Sequence, residues 1–212
     1  MENVDKSVEI DKRAETTWKK ADVSYKNYQD YIKRKDDKFK LTLIDLLYIS
    51  NFKGGNASIH EEEKSVNDKL KAYSEKLKEI EDAFKNSKLS DLAETETEAK
   101  AELETLTKVV DECCNLTKIS SDTKIDGFSV SYLSALLNAY FSDLIPILDR
   151  RILINLEIVT KKDQVTTTDA IKDIQKYYNP LIRKMATLSK SNAKSIREID
   201  EEYFKRKLLE LK

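Results

Sequence analysis

Two short segments hold the residues whose types and spacing could do chemistry. The first is Ile-Asp-Gly-Phe-Ser at 125–129, where Gly127 stands just before an apolar helical pattern. A tight glycine turn there exposes backbone N–H groups at a helix start, and such groups can hold a phosphate. The second is Pro-Ile-Leu-Asp at 146–149, which places Asp149 22 positions after Gly127. Asp149 is therefore the candidate reacting group, although a carboxylate that follows Pro146 is also an ordinary helix N-cap.

Together, the two segments resemble the helix-hairpin-helix DNA glycosylase superfamily, and the Asp149 segment is most similar to that of adenine-mismatch glycosylases. The usual hairpin is Leu-Pro-Gly-Val-Gly-x-x-Thr-Ala, and a segment with a catalytic Asp follows it at a comparable distance. Ile125, Gly127 and Phe128 stand at the Leu, first Gly and hydrophobic positions. The resemblance implies a helix-hairpin-helix that binds duplex DNA, with Asp149 facing the sugar.

The hairpin departs from the family pattern at two positions. Asp126 replaces the Pro and would lie close to a bound phosphate. Ser129 replaces the second Gly and turns less easily than glycine does. The acidic stretch 60–116 has no counterpart in the family pattern and is expected to be an insertion or a heavily altered part of the fold.

The implied reaction is removal of a base that has been flipped out of the duplex, which costs about a few kcal/mol. The Asp149 carboxylate would stabilise the positive charge that builds on the sugar. Ser131 stands where bifunctional relatives carry a Lys nucleophile, so the resemblance implies base removal without lyase chemistry. The expected DNA-contacting residues are Lys124, Gly127, Ser129, Ser131, Arg150 and Arg151.

Other parts of the chain match the family more faintly. Near the C-terminus, Arg197 and Asp200 form an Arg-x-x-Asp that precedes an aromatic pair at 203–204, as in uncharacterised glycosylase-fold proteins. The adenine-specific enzymes place a Glu acid near an early apolar helix. Tyr48 falls near that position here, and Asp45 lies one turn earlier. No iron–sulfur Cys motif follows Asp149.

The elements that must position these residues are predicted to be helices. The 212 residues are 40% hydrophobic and 36% charged and include three Gly and two Pro, which leaves few tight turns for a β fold. With no internal repeat or low-complexity linker, we predict one compact all-α domain over 1–212. It comprises a long acidic helical hairpin at 60–116 and, at 117–160, the helix-hairpin-helix with the Asp149 segment.

Apolar residues at helical spacing set the predicted elements. The first helix carries a stripe from Trp18 to Ile32, and a buried helix from Leu41 to Ile49 stops at two glycines. The 60–116 hairpin is predicted to turn at 87–90, with Ser90 as an N-cap. The next predicted helix covers 133–144 and is broken by Pro146, and Asp149 is predicted to cap the helix after it. A further helix is predicted over 169–189, capped by Thr168 and interrupted at Asn179-Pro180. The last predicted helix covers 192–212.

Charge and composition limit the partners. A net charge of −1 excludes a generally basic nucleic-acid clamp, so any DNA contact must come from a local basic surface. Adjacent Cys113 and Cys114 with a single His indicate no disulfide, metal site or cofactor. Reduced thiols, and no apolar run of signal-peptide or membrane-span length, predict a cytoplasmic protein without a membrane partner. The alternative function is a non-catalytic adaptor that presents the apolar seam of 60–116 to a protein.

Overall fold

Helices make up the regular structure in the part of the chain that the computed structural model describes, residues 9–54, 59–93, 97–160, 171 and 173–209. No strand occurs in those ranges, so the predicted all-α class is confirmed. The helices are α1 Lys12–Lys33, α2 Leu43–Phe52, α3 Glu63–Phe84, α4 Thr97–Asn115, α5 Val130–Tyr140, α6 Arg150–Asn155, α7 Tyr178–Asn192 and α8 Ile196–Lys205. Buried side chains from all of these helices form one hydrophobic cluster.

The first helix follows its predicted stripe. The Asp11 side chain accepts hydrogen bonds from the backbone N–H groups of Arg13 and Ala14 at 2.9 and 3.3 Å, which starts α1 as an N-cap. Trp18 and Ile32 mark the limits of the predicted stripe, and both are buried. α1 packs against α2 and α8, so the first described helix lies beside the last described one.

The apolar seam of the 60–116 segment is buried in the core. α3 and α4 contact each other, and α4 also packs against α5 and α7. The predicted turn at 87–90 is present, but α4 begins at Thr97, so the predicted N-cap at Ser90 is wrong. The adaptor hypothesis needs this apolar seam exposed to a partner. The following seam residues are instead buried: Leu70, Tyr73, Leu77, Ile80, Phe84, Leu103, Leu106, Val110 and Cys113.

The helix before Asp149 ends earlier than its apolar pattern predicts. α5 stops at Tyr140. The backbone N–H groups of Leu144 and Ile145 both donate hydrogen bonds to the carbonyl oxygen of Phe141, at 3.0 and 2.9 Å. Residues 145–148 form no helix, and Pro146 lies within them rather than at the helix end. α6 then begins with Asp149 as its N-cap, as the sequence predicted.

The C-terminal region forms two α-helices, α7 and α8. A short 3₁₀ helix, Ile174–Tyr177, leads into α7, so Pro180 lies in the first turn of a helix and not at a break, because proline's missing N–H is not needed there. α8 ends at Lys205, because Arg206 forms an isolated antiparallel bridge with Ile10. The predicted N-cap at Thr168 lies outside the described residues. Among the described helices, none has both the length and the apolar character to cross a bilayer.

Candidate functional site

A cleft of about 510 Å³ opens between α1, the end of α2, the start of α6 and α8. Asp149 and Asp200 line it, together with the basic residues Lys20, Lys53 and Arg197 and the aromatic residues Trp18, Phe52 and Phe204. Its volume lies within the range of about 300–1,000 Å³ that is usual for small-molecule sites. The cleft therefore joins the Asp149 segment to the Arg-x-x-Asp segment, which the sequence alone could not place side by side.

Asp149 acts as a helix cap and also lines the cleft. Its Oδ1 accepts a hydrogen bond from the backbone N–H of Arg151 at 2.9 Å, and its Oδ2 lies 3.3 Å from the Lys53 ammonium. About a quarter of the side chain (24%) is exposed to solvent. Because one oxygen is held by the helix start and the other by a cation, the carboxylate is oriented in the cleft wall.

Three small polar side chains of α5 hold the backbone that leads to Asp149. The Ser131 hydroxyl donates to the carbonyl of Leu148 at 3.0 Å, and the Ser134 hydroxyl accepts from the N–H of Leu148 at 2.9 Å. The Asn138 amide donates to the carbonyl of Ile145 at 2.7 Å. Because residues 145–148 form no helix, these contacts supply hydrogen-bond partners for both backbone groups of Leu148 and for the carbonyl of Ile145.

The sequence predicts a role for Ser131 only by comparison with a Lys nucleophile, and it does not single out Ser134 or Asn138. The spacing of the three residues, three and then four apart within an apolar helix, places them on one face. That pattern could have identified a polar seam facing the Asp149 segment.

Substitution of Ser134 by Ala is expected to destabilise the protein by about 1–3 kcal/mol, because it leaves the N–H of the fully buried Leu148 without a partner. Urea-induced unfolding measures the change. The matched control is Ser191→Ala on an exposed part of α7, which should change the unfolding free energy by less than about 0.5 kcal/mol. Equal effects of the two substitutions would contradict the role of Ser134.

Asp200 is the most deeply buried charged group of the cleft. Its side chain has no solvent-exposed surface, and neither carboxyl oxygen has a partner at full hydrogen-bond geometry. Burial raises the pKa of Asp200 to about 7, although the Arg197 guanidinium, the Lys53 ammonium and the backbone N–H of Ile147 are near enough to lower it. The charge of Asp149 adds to the increase. Asp200 is therefore easier to protonate than an exposed aspartate.

Arg197 lies beside Asp200 but is held by other groups. Its guanidinium carbon is 3.9 Å from the ring centre of Trp18 and 4.4 Å from that of Tyr25. One of its terminal nitrogens lies 3.2 Å from Asp22. These stacking and ionic contacts orient the cation over the aromatic wall of the cleft.

Near the end of α2, the cleft is lined by a different residue from the two that the sequence suggested. Neither Asp45 nor Tyr48 lines the cleft: Asp45 is buried and pairs with Lys35 at 2.9 Å, and Tyr48 stacks on Tyr31. Lys53, just past the end of α2, reaches the cleft instead. The two glycines predicted to stop this helix were the only indication that the chain turns there.

Residues 116–129 include no helix, so the predicted helix-hairpin-helix is not confirmed, and only a turn forms at Gly127. This residue has a φ of 81°, a left-handed conformation that favours glycine. Ser129 is the N-cap of α5, with a φ of −93°, and its side chain makes no capping hydrogen bond. Because that conformation is open to any residue, the position of the family's second Gly does not need glycine in this chain.

Substitution of Gly127 by Ala should lower the unfolding free energy by about 1–2 kcal/mol, because it forces an L side chain into the left-handed region. Ser129→Ala is the matched control, since this residue is also exposed but lies in the extended region, and its effect should stay below about 0.5 kcal/mol. Thermal or urea unfolding of both variants checks the difference, and a neutral Gly127→Ala would mean that the turn relaxes without strain.

Lys124 and the backbone turn of the predicted hairpin already make hydrogen bonds within the protein. The Lys124 ammonium donates to the carbonyls of Ile125 and Phe128 at 2.5 and 3.0 Å, and burial lowers its pKa. The backbone N–H of Asp126 donates to the Glu61 carboxylate at 2.7 Å. A side-chain anion thus occupies one of the N–H groups that a phosphate would use.

The two arginines after Asp149 differ in their surroundings. The Arg151 guanidinium donates to the carbonyls of Phe204 and Arg206 at 2.5 and 2.7 Å and forms an ion pair with Asp11 at 2.6 Å. It therefore ties α6 to both ends of the chain, a structural role that differs from the expected phosphate contact. Arg150, the first residue of α6, is half-buried.

No metal-binding group was found within the described ranges, where no three His, Cys, Asp or Glu side chains are placed to hold an ion. Cys113 and Cys114 are buried and unpaired. Comparisons with models of protein families, with curated proteins and with solved structures gave no match. The resemblance to helix-hairpin-helix glycosylases therefore rests on the motif residues of this chain alone.

Proposed function

We propose that this chain binds DNA and removes a base by hydrolysing its N-glycosidic bond, with Asp149 as the catalytic carboxylate. The observation that carries the proposal is the position of Asp149, an oriented and partly exposed carboxylate in the wall of an aromatic-lined cleft. The sequence resemblance and the cleft point to the same residue independently.

The reaction needs a group that stabilises positive charge on the sugar. As the bond between sugar and base breaks, the bonding electrons leave with the base, and a water oxygen bonds to the anomeric carbon. The water proton passes to the base or to solvent. A fixed carboxylate next to the sugar stabilises this transition state in a site of low polarity. Ser131 donates its hydroxyl to Leu148, and it supplies no amine for lyase chemistry.

The cleft also provides surfaces for a flipped-out base and its phosphates. The rings of Trp18, Phe52 and Phe204 offer apolar walls for a planar heterocycle. Lys20 lines the cleft and is exposed, so it is the lining cation best placed to meet the DNA backbone, whereas Lys53 pairs with Asp149. The turn at Gly127 and the start of α5 remain the second phosphate contact that the resemblance implies. In this proposal the protein works in DNA repair in the cytoplasm.

The test is base release from a panel of duplexes that carry mismatched adenine, oxidised guanine, uracil or alkylated bases, with Asp149→Asn as the control. Release from one duplex that is lost in the control supports the proposal. Duplex binding that weakens steeply with added salt, without release, would reduce the function to non-catalytic DNA binding. Neither release nor binding would overturn the DNA hypothesis.

The adaptor hypothesis receives no comparable support. The apolar seam that it would offer to a partner is buried within the core, so a partner would have to unfold α3 or α4 to reach it.

A further inference from the structure

One row of lysines along α1 is balanced by acids of the same helix. Lys19, Lys26 and Lys33 lie seven residues apart, which is about two helical turns, so they share one face. Each forms an ion pair with an acidic side chain three or four positions before it, at 3.1, 2.7 and 3.3 Å. The charge of Lys12, at the start of the same row, also acts on the Glu15 carboxylate. This first row therefore has little positive charge left for a partner.

A second row of α1 keeps its positive charge. Arg13, Lys20, Asn27 and Arg34 also follow one another at intervals of seven residues, and all four are exposed. Arg34 is the C-cap residue that follows α1, and its Nε donates to the carbonyl of Asp30 at 3.0 Å, which leaves its charge unbalanced. In the described part of the chain, no carboxylate forms an ion pair with any of the three cations. At a rise of about 1.5 Å per residue, the row is about 30 Å long.

The second row borders the candidate cleft. Lys20 lines the cleft and is exposed at its edge. Asn27 and Arg34 line a shallow groove farther along the helix, where Asp30 is already paired with Lys33. A negatively charged ligand that lies along the second row therefore passes the opening of the cleft.

We infer that the second row docks the backbone of duplex DNA, with Arg13, Lys20 and Arg34 contacting phosphates beside the cleft. This inference rests on the proposed function, because it takes the polyanion to be the duplex that carries the substrate base. Duplex DNA has one negative charge per about 1.7 Å of its axis, so cations spread over about 30 Å can each meet a phosphate. Such contacts fix the position of the duplex and do not depend on its sequence.

The net charge of the chain makes such a row necessary for DNA binding. Because that charge is −1, attraction to DNA requires a local surface whose positive charge is not balanced by acids. Two of the cations that the resemblance implies, Lys124 and Arg151, already donate to main-chain carbonyls. The second row consists instead of exposed side chains, so its cations can reach phosphates without a change in the fold.

The experiment measures how the affinity of the full chain for an undamaged duplex depends on salt, by fluorescence anisotropy. The triple variant Arg13→Gln, Lys20→Gln and Arg34→Gln removes the charges of the second row and keeps residues that favour helix. Each phosphate contact contributes about 0.9 to the slope of log affinity against log salt, so the slope should fall by about 2 to 3. At physiological salt, the same loss corresponds to an affinity on the order of a hundredfold weaker.

The first row provides the matched control. The triple variant Lys19→Gln, Lys26→Gln and Lys33→Gln removes three positive charges from the same helix, and it changes the net charge of the chain by the same amount. A general effect of charge would therefore weaken both triple variants equally. Because the lysines of the first row are already paired with acids, we expect this control to keep the wild-type slope.

Two results would overturn the inference: equal changes of slope in the two triple variants, or a wild-type slope in the variant of the second row. All six residues are exposed, so circular dichroism should show both variants folded. Duplex binding that does not depend on the second row would leave the proposed function standing. No duplex binding by the wild type, even at low salt, would overturn both. Binding through the second row without base release would support the inference and remove the catalytic part of the proposed function.

Discussion

Replacing Asp149 by Asn is expected to reduce base release at least about a hundredfold while leaving the protein folded, since fixed charge stabilisation in a transition state has effects of that size. Asn is as good a helix N-cap as Asp, so it can still accept the hydrogen bond from Arg151. The unfolding free energy should therefore change by less than about 1 kcal/mol. What the variant loses is the negative charge beside the sugar, and single-turnover release from the preferred duplex measures that loss.

This substitution also separates the catalytic interpretation of Asp149 from the purely structural one. If the residue only caps α6, the Asp149→Asn variant would release base as well as the wild type does, and only Asp149→Ala would be impaired, through a loss of about 0.5–2 kcal/mol in stability. The matched control is Asp11→Asn, because Asp11 is likewise an N-cap in an ion pair with an adjacent cation but does not line the cleft. That variant should release base at the wild-type rate.

A second substitution, at a buried ion pair outside the cleft, is expected to cause a large loss of stability. Lys35 donates to both oxygens of Asp45 at 2.9 and 3.1 Å, and the two side chains are 8% and 0% exposed. Lys35→Met would leave Asp45 as a buried carboxylate without its cation, which destabilises proteins by about 3–5 kcal/mol. Because Tyr28 and Thr42 still donate to Asp45, we expect the lower end of that range.

Urea unfolding of Lys35→Met tests this prediction. Lys64→Met is the matched control, since Lys64 pairs with Asp68 on the surface of α3 and is 89% exposed, and its loss should amount to less than about 0.5 kcal/mol. The double variant Lys35→Met with Asp45→Asn should recover part of the stability, because the amide needs no cation. A Lys35→Met variant as stable as the wild type would mean that water reaches Asp45 in solution.

Much of the fold followed from local patterns. The stripe from Trp18 to Ile32, the seams of α3 and α4 and the cap at Asp149 each depend on residues close together in the chain, and local spacing reports such features directly. Helix ends were harder to predict. α5 stops before its apolar residues do, because Phe141 accepts hydrogen bonds from the following turn, and α8 stops where Arg206 meets Ile10.

The candidate site shows the same division. The candidate reacting group, Asp149, and the tight turn at Gly127 were predicted from types and spacing alone. The contacts of the basic residues could not be predicted, because the sequence does not show in which direction a lysine or arginine side chain points. Lys124 turns back onto its own loop and Arg151 onto the chain ends, whereas Lys53 reaches Asp149 from 96 positions away.

The sequence by itself therefore determined the all-helical class, the apolar faces of the helices and the two segments that hold candidate functional residues. Only the tertiary structure decided that α1, α6 and α8 bring Asp149 and Asp200 to one cleft, and that the seam of 60–116 belongs to the core. The physical reason is that helix formation and capping depend on neighbours within a turn or two. Burial, pKa shifts and ion pairs depend on residues that meet only after the helices pack, and the raised pKa of Asp200 comes from that packing.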